Sequence, residues 1–224
     1  MGSPDPWKWM KHQPQAQSNL NGFLGAMRSK KSPWIAYYSV DDLLQDFDRD
    51  RPLIVDVGGG TGNDLMHVAA SLPESYGDAR LILQDTKAVI QSIDQETLAP
   101  QISPIAHDFF TPQPPNACGA KVYFLRQVLH DWPDKEALQI LAHLKAAMKP
   151  GYSRVIVLET IMPTRVAETS PLEAALDLHM MMFFGALERT EQQWSQLFRK
   201  AGLTYMRMRV CGDKNQGILE AACQ

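Results

Sequence analysis

The stretch VDVGGGTGND, residues 55–64, decides the fold of this chain. It joins an apolar run that predicts a buried strand over 53–58 to a segment that predicts a helix over 62–72. Four glycines stand within the five positions between them, namely Gly58, Gly59, Gly60 and Gly62. Glycine adopts positive φ without strain and lets a ligand approach the backbone closely. The stretch therefore favours a cofactor-binding turn over a plain tight turn.

Alternating strand-like and helix-like segments continue from residue 53 to the end of the chain. Such alternation predicts an α/β fold with a mainly parallel sheet and helices on both faces. Only a short turn separates the last two strand-like segments, 204–210 and 217–223. A connection of that length joins antiparallel strands, so these two predict a hairpin at the edge of the sheet. Before residue 50, short helices are predicted over 18–31 and 40–48.

Composition narrows the class of protein. The chain has 224 residues, of which 45% are hydrophobic and 21% charged, as in ordinary globular proteins. A net charge of −3 argues against a nucleic-acid binder. The longest apolar stretch, 180–187, is too short to span a bilayer, and the N-terminus has no signal-peptide pattern. Three cysteines without CxxC spacing suggest reduced thiols, and no metal-ligand spacing is present. We expect a cytoplasmic protein with no nucleic-acid, membrane or metal partner.

The spacing around the glycines indicates which ligand the turn would bind. Gly58 and Gly60 begin a dinucleotide fingerprint, but Asn63 occupies the place of its third glycine. Asp56 stands two residues before Gly58, where its charge would repel a pyrophosphate and attract an ammonium group. The turn therefore suits a ligand with a cationic end rather than a phosphate.

Acidic residues also end the next two predicted strands. Asp85 closes LQD, where a carboxylate can bind both hydroxyls of a ribose. Asp108, in AHDFF, can accept from an adenine amino group while Phe109 packs on the ring. Each acid taken alone is equally consistent with a helix cap. Together with Asp56 they describe a pocket for a nucleoside with an ammonium tail, which S-adenosylmethionine fits.

A second stretch, RQVLHDWPD at 126–134, lies where a strand predicted over 121–129 turns into a helix predicted over 135–148. Ligands bind at this edge of open α/β sheets. From the stretch alone His130 is either a general base or a turn residue that caps the helix with Asp131. The sequence around it leaves both interpretations open.

Six motifs occur in order: VDVGGGTG, LQD, HDFF, LRQVLHDWPD, LETIMP and ERTEQQW. On these the chain resembles, over roughly residues 18–222, the S-adenosylmethionine-dependent O-methyltransferases of plant caffeic-acid and isoflavone type and their fungal secondary-metabolite relatives. The resemblance implies the Rossmann-like class I methyltransferase fold, with a mostly parallel seven-stranded sheet. It also implies methyl transfer to a hydroxyl of a small aromatic or polyketide-like molecule, leaving S-adenosylhomocysteine.

The resemblance assigns roles to individual residues. His130 matches the family's general base, and Glu159 and Glu188 match the glutamates that flank it. Cofactor positions are matched by Gly58, Gly60, Asp85, Asp108 and Phe109, with Arg126 at the cofactor's carboxylate end. Acceptor positions are matched by Phe23, Met27 and Met180. Phe184 follows Met180 by one helical turn, so the two are expected to share an apolar wall.

The family's N-terminal winged-helix dimerisation domain has no counterpart in this sequence. We therefore expect residues 1–50 to be linker helices that line the acceptor site and residues 51–224 to be the S-adenosylmethionine-binding catalytic domain. A homodimer through the N-terminal helices, or association with a longer partner chain, is expected. Two other functions stay open: a cofactor-bound pericyclase or dehydratase, and a truncated, non-catalytic partner-binding form.

Overall fold

The computed structural model describes residues 32–212 and 216–224, together with residues 9, 13, 15, 16, 19 and 22. The predicted acceptor residues Phe23 and Met27 lie outside the described residues, as does most of the helix predicted over 18–31.

Strands and helices alternate through the described part of the chain, as the sequence predicts. The strands are β1 (Ile54–Val57), β2 (Leu81–Asp85), β3 (Ile102–Ala106), β4 (Val122–Arg126), β5 (Arg154–Met162), β6 (Arg189–Thr190), β7 (Thr204–Cys211) and β8 (Gln216–Ala222). The α-helices are α1 (Val40–Leu44), α2 (Asn63–Ser71), α3 (Lys87–Ser92), α4 (Asp134–Ala147), α5 (Pro171–Phe184) and α6 (Glu191–Lys200). Short 3-10 helices at Trp34–Tyr37 and Leu129–Asp131 matter for the site.

One sheet runs in the order β3-β2-β1-β4-β5-β8-β7. Its strands are parallel except β8, which pairs antiparallel with both β5 and β7. The predicted fold class and C-terminal hairpin are thus confirmed. The two-residue strand β6, which pairs with β5 beside this path, was not predicted because two residues carry no periodic pattern. The strand order reverses between β1 and β4, and such a reversal forms a crevice at the carboxyl ends of the strands.

Two hydrophobic layers enclose the sheet. Strand β4 shows the alternation, since Tyr123 and Leu125 enter the layer under α4 and α6 while Val122 and Phe124 enter the opposite one. All four side chains are fully or almost fully buried. A sheet covered on both faces has strands that are apolar at nearly every position, which is the pattern seen here.

The segment before β1 belongs to this core. Trp34 is 1% exposed and its ring stacks on Phe124 with centroids 4.5 Å apart. The Tyr38 hydroxyl donates to the buried Glu220 of β8 at 3.3 Å, and Asp42 in α1 pairs with Arg209 of β7 at 2.8 Å. Residues from Trp34 onward therefore pack against the sheet itself. The division at residue 50 into linker and catalytic domain stays a prediction.

We expect Trp34→Ala to lower the free energy of unfolding by about 3–5 kcal/mol, because it removes a fully buried indole and leaves a cavity. Chemical denaturation followed by far-ultraviolet circular dichroism measures the change. Trp9 is 56% exposed, so Trp9→Ala is the matched control and should cost less than about 0.5 kcal/mol. A Trp34→Ala protein as stable as the unmutated chain would contradict the assignment of this segment to the core.

Candidate active site

The glycine-rich loop between β1 and α2 has the backbone that the sequence predicts. Gly58, Gly60 and Gly62 have φ of +71°, +61° and +86°. A β-carbon on Gly58 would lie 2.9 Å from a methyl of Val128, in the segment that follows β4. The loop therefore turns in the left-handed region and packs closely against the segment that carries His130.

Two carboxylates predicted for the cofactor lie against this loop. Asp85, at the end of β2, accepts from the Gly60 N–H at 2.9 Å and from the Thr86 N–H at 2.7 Å. Asp56 is 1% exposed, and a β-carbon on Gly59 would lie 2.5 Å from its Oδ2. Asp85 thus ties the loop to the neighbouring strand, and Asp56 packs beneath it.

An aromatic cluster stands beside the loop. Phe109, predicted to pack on a ligand ring, lies edge-on to Phe110 at 5.0 Å and to Trp132 at 5.9 Å between centroids. The Asp108 carboxylate accepts from the Phe110 N–H at 3.0 Å, which shapes the turn after β3. Sequence reasoning did not single out Trp132, although its place two residues after His130 could have suggested it.

The turn that carries His130 begins earlier than predicted. Strand β4 ends at Arg126, whereas the sequence predicted a strand over 121–129, and Gln127 then adopts φ +51°. The reason is a side chain from β5. Glu159 Oε1 accepts from the backbone N–H groups of Val128, Leu129 and His130 at 3.1, 3.0 and 3.4 Å. These donors bond to a carboxylate instead of a neighbouring strand, so the strand stops.

Arg189, at the start of β6, holds the same turn from its carbonyl side. Its side chain is 1% exposed and donates from Nη1 to Leu129 O at 3.0 Å and from Nη2 to Trp132 O at 2.9 Å. Asp134 accepts from the same guanidinium at 2.9 Å. Sequence reasoning missed this residue, because a charged residue within ERTEQQW gives no sign of burial.

Three carboxylates surround the His130 imidazole. Nδ1 lies 3.0 Å from Glu188 Oε1 and 3.8 Å from Glu159 Oε2, while Nε2 lies 3.4 Å from Asp131 Oδ1. The structure thus brings His130, Glu159 and Glu188 together. Asp131, interpreted from sequence only as a turn residue, is the third acidic neighbour.

This surrounding charge changes the protonation of the group. Burial lowers the pKa of His130, but Glu159, Glu188 and Asp131 outweigh it and raise that pKa to about 10. Burial raises the pKa of Glu159 to about 7, against the opposing charge of His130. The surrounding carboxylates therefore favour the protonated form of His130, which a general base would have to leave before it could accept a proton.

A buried ion pair joins the two sides of the crevice. Arg126, at the end of β4, contacts Asp64 in the first turn of α2 with Nη1 and Oδ1 2.6 Å apart. The two side chains are 8% and 3% exposed. Asp64 was not among the predicted site residues, although it is the last residue of the VDVGGGTGND stretch.

Helix α5 carries Met180 and Phe184, the two residues predicted to form an acceptor wall. Met180 is 5% exposed and Phe184 is partly exposed. The helix is tied to the carboxylates around His130, because Asp177 accepts from the Glu188 N–H at 2.9 Å. Within the described residues, no group of three or more His, Cys, Asp or Glu side chains could hold a metal ion. None of the helices in that part of the chain has the length and apolar character needed to cross a bilayer.

Comparison with known proteins identifies the family. The sequence model of the O-methyltransferase domain matches residues 11–204. The chain belongs to the O-methyltransferase family. The resemblance of the six ordered motifs is thereby confirmed. One relative of this O-methyltransferase chain is demethylsterigmatocystin 6-O-methyltransferase of Aspergillus parasiticus, 36% identical over 217 residues, which are 96% of the chain and 53% of the relative. The chain thus spans about half the length of the curated relatives it matches.

Solved structures agree with this family. A LepI variant in complex with SAH and a substrate analogue superposes on the present chain with a TM-score of 0.85 at 30% identity. The match covers 97% of the present chain and 55% of the LepI chain. A structure described as a pericyclic reaction enzyme superposes with a TM-score of 0.83 at 28% identity, covering 97% and 55%.

We expect the His130 ring to stay protonated through about pH 8 and to titrate near pH 10, because three carboxylates surround it. Its folded pKa lies above the ordinary 6.5, so its contribution to stability is complete below pH 6.5 and is lost as pH rises through about 10. Nuclear magnetic resonance of histidine-labelled protein measures the titration, and the spectrum of His130→Gln assigns the signal. Glu188→Gln should lower the pKa of His130. A titration of the ligand-free protein near pH 6.5 would contradict this picture of the site.

Proposed function

We propose that this chain is an S-adenosylmethionine-dependent O-methyltransferase, with His130 as the general base. The observation that carries the proposal is the His130 imidazole hydrogen-bonded to Glu188 beside a glycine loop of positive φ. Membership of the O-methyltransferase family supports methyl transfer as the reaction. The proposed acceptor is a hydroxyl of a small aromatic or polyketide-like molecule, in line with the demethylsterigmatocystin enzyme among the relatives.

The residues present fit S-adenosylmethionine. The cradle at Gly58 leaves no room for a β-carbon, and the Gly60 backbone is held by Asp85. We assign Asp85 to the ribose and Asp108 with Phe109 to the adenine. Asp56 is assigned to the ammonium group. The bound cofactor supplies an electrophilic methyl group on a sulfonium, which is a good leaving group.

The proposed base has to release a proton before it can accept one. In the proposed tautomer the His130 Nδ1–H donates to Glu188 Oε1. This leaves Nε2, the ring nitrogen near Asp131, to take the proton of the substrate hydroxyl. A neighbouring cation lowers the pKa of an imidazole, so His130, whose side chain is 12% exposed, gives up its proton to solvent more readily beside a cationic ligand. Neutral His130 then takes the hydroxyl proton, and the Glu188 carboxylate stabilises the imidazolium that forms.

Helix α5 supplies the proposed acceptor wall through Met180 and Phe184. A cavity of about 410 Å³ opens where β5 ends and α5 begins, but neither of these residues nor His130 lines it. Helix α5 exposes five large apolar residues, which are distributed around the helix, namely Leu176, Leu178, Met181, Met182 and Phe183. Large exposed apolar surfaces are typical of association sites. We propose that contact with a second copy or a longer partner chain, made through the N-terminal helices, extends over this helix.

A second candidate is cofactor-assisted pericyclic or dehydration chemistry. The observation that favours it is the high structural similarity to a protein described as a pericyclic reaction enzyme. Methyl transfer produces one S-adenosylhomocysteine for each methylated product, whereas a pericyclic reaction leaves the cofactor unchanged. Mass spectrometry of both species with a candidate acceptor separates the two functions.

Asp85→Ala should weaken binding of S-adenosylhomocysteine by roughly 2–3 kcal/mol, because it removes charged hydrogen-bond acceptors from the ribose and releases the Gly60 N–H. Isothermal titration calorimetry measures this. Asp50 is exposed before β1, so Asp50→Ala is the control and should bind normally. No measurable binding of S-adenosylmethionine or S-adenosylhomocysteine by the unmutated chain would refute the proposed cofactor.

His130→Ala and His130→Gln should each reduce turnover by roughly 10²–10⁴, the usual range for loss of a general base, and leave cofactor affinity nearly unchanged. Radiolabelled methyl transfer to a phenolic acceptor measures turnover. His67 is exposed on α2, and His67→Gln should retain activity. Near-normal methyl transfer by both His130 variants would return the residue to a purely structural role in the turn.

A further inference from the structure

Asp64 is buried at the junction of the glycine loop and α2. It is the second residue of the helix, after Gly62 at the N-cap and Asn63. Its side chain is 3% exposed and faces Arg126 across the point where the strand order reverses. A helix N-terminus favours a negative group in its first turn. The carboxylate is thus placed between a helix end and a guanidinium.

The cost of such a pair indicates that it does more than stabilise the fold. Removing two charges from water costs several kcal/mol for each ion, and apolar residues of similar volume are often equally stable. Here the pair stands at the carboxyl ends of the strands, beside the proposed cofactor loop. Elsewhere Arg154 and Arg207 share the buried Glu220, but both of those arginines are partly exposed to water.

The pair also restricts how Arg126 can be oriented. A guanidinium is planar and presents five donors in a fixed fork, so a bond at one edge sets the plane of the whole group. The contact of Nη1 with Asp64 at 2.6 Å is such a bond. Without it, the side chain would have to pay rotamer entropy when a ligand carboxylate binds.

We propose that Asp64 is a positioning residue for the cofactor site: it holds Arg126 in the orientation that binds the carboxylate of an S-adenosyl amino acid. The inference rests on the proposed function, from which it takes the S-adenosyl ligand, and on the family resemblance, which places Arg126 at the carboxylate end of that ligand. The proposal predicts that Asp64 contributes to binding of the amino-acid end of the ligand and does not contribute to binding of the adenosine end.

Two ligands separate these ends. S-Adenosylhomocysteine has the amino-acid end, and 5′-methylthioadenosine keeps the adenosine and thioether without it. In calorimetric titrations, Asp64→Asn should weaken the affinity for S-adenosylhomocysteine by about tenfold, which corresponds to about 1.4 kcal/mol. The affinity for 5′-methylthioadenosine should change by less than about twofold. In an Arg126→Met background the same Asp64→Asn change should have less than about a twofold effect on either ligand, because the group it positions is gone.

Asp64→Glu is a second variant that keeps the charge but displaces the carboxylate. It should show the same selectivity as Asp64→Asn, and it carries the test if Asp64→Asn does not fold. Equal weakening of both ligands in the folded variant would make Asp64 a structural residue and overturn the inference. Unchanged affinity for both would overturn it as well. An unmutated chain that binds neither ligand would refute the proposed function, and this inference with it.

Discussion

The buried carboxylate of Glu159 is the contact on which the site depends. The side chain has 0% exposure, and one of its oxygens accepts three consecutive backbone N–H groups. A buried donor left without an acceptor costs about 1–3 kcal/mol, so the carboxylate outweighs any tendency of β4 to continue. It decides where the strand stops and where the imidazole of His130 stands. The other oxygen of the same carboxylate faces that imidazole. The group that shapes the turn therefore also favours the charged form of the imidazole.

The turn is held on both sides by side chains from distant parts of the sequence. Glu159 binds its N–H groups, and Arg189 binds its carbonyl groups. Glu188, the neighbour of Arg189 in the chain, reaches the imidazole. Two adjacent residues thus fix the backbone of the turn and the partner of its histidine. Glu188 immediately precedes β6, so the two contacts are made from neighbouring positions at the start of this short strand.

Much of the fold could be predicted from local pattern, whereas the contacts of the site could not. Alternating apolar segments and the glycines at 58–62 predict a mainly parallel sheet with a left-handed loop, and both are present. The end of β4 was predicted three residues late, because the acceptor that ends it lies about 30 residues away. The pair of Arg126 with Asp64 spans 62 residues, which no local periodicity reveals.

More carboxylates surround His130 in the structure than the sequence predicted. Glu159 and Glu188 were expected beside His130 from the family motifs, and the structure brings them there. Asp131 was interpreted as a turn residue because helix-cap chemistry explains an acid in that place. Its approach to Nε2 depends on the 3-10 geometry of the turn, which sequence does not encode in any simple pattern.

The close approach of Gly58 to Val128 limits which substitutions the glycine loop and the turn with His130 can each tolerate. Any side chain at position 58 would press on Val128, whose backbone N–H is bonded to Glu159. His130 follows only two residues later, so a change made in the glycine loop would be transmitted to the imidazole through packing alone. The glycine loop and the turn are therefore sterically coupled. A substitution in one of them requires a compensating substitution in the other.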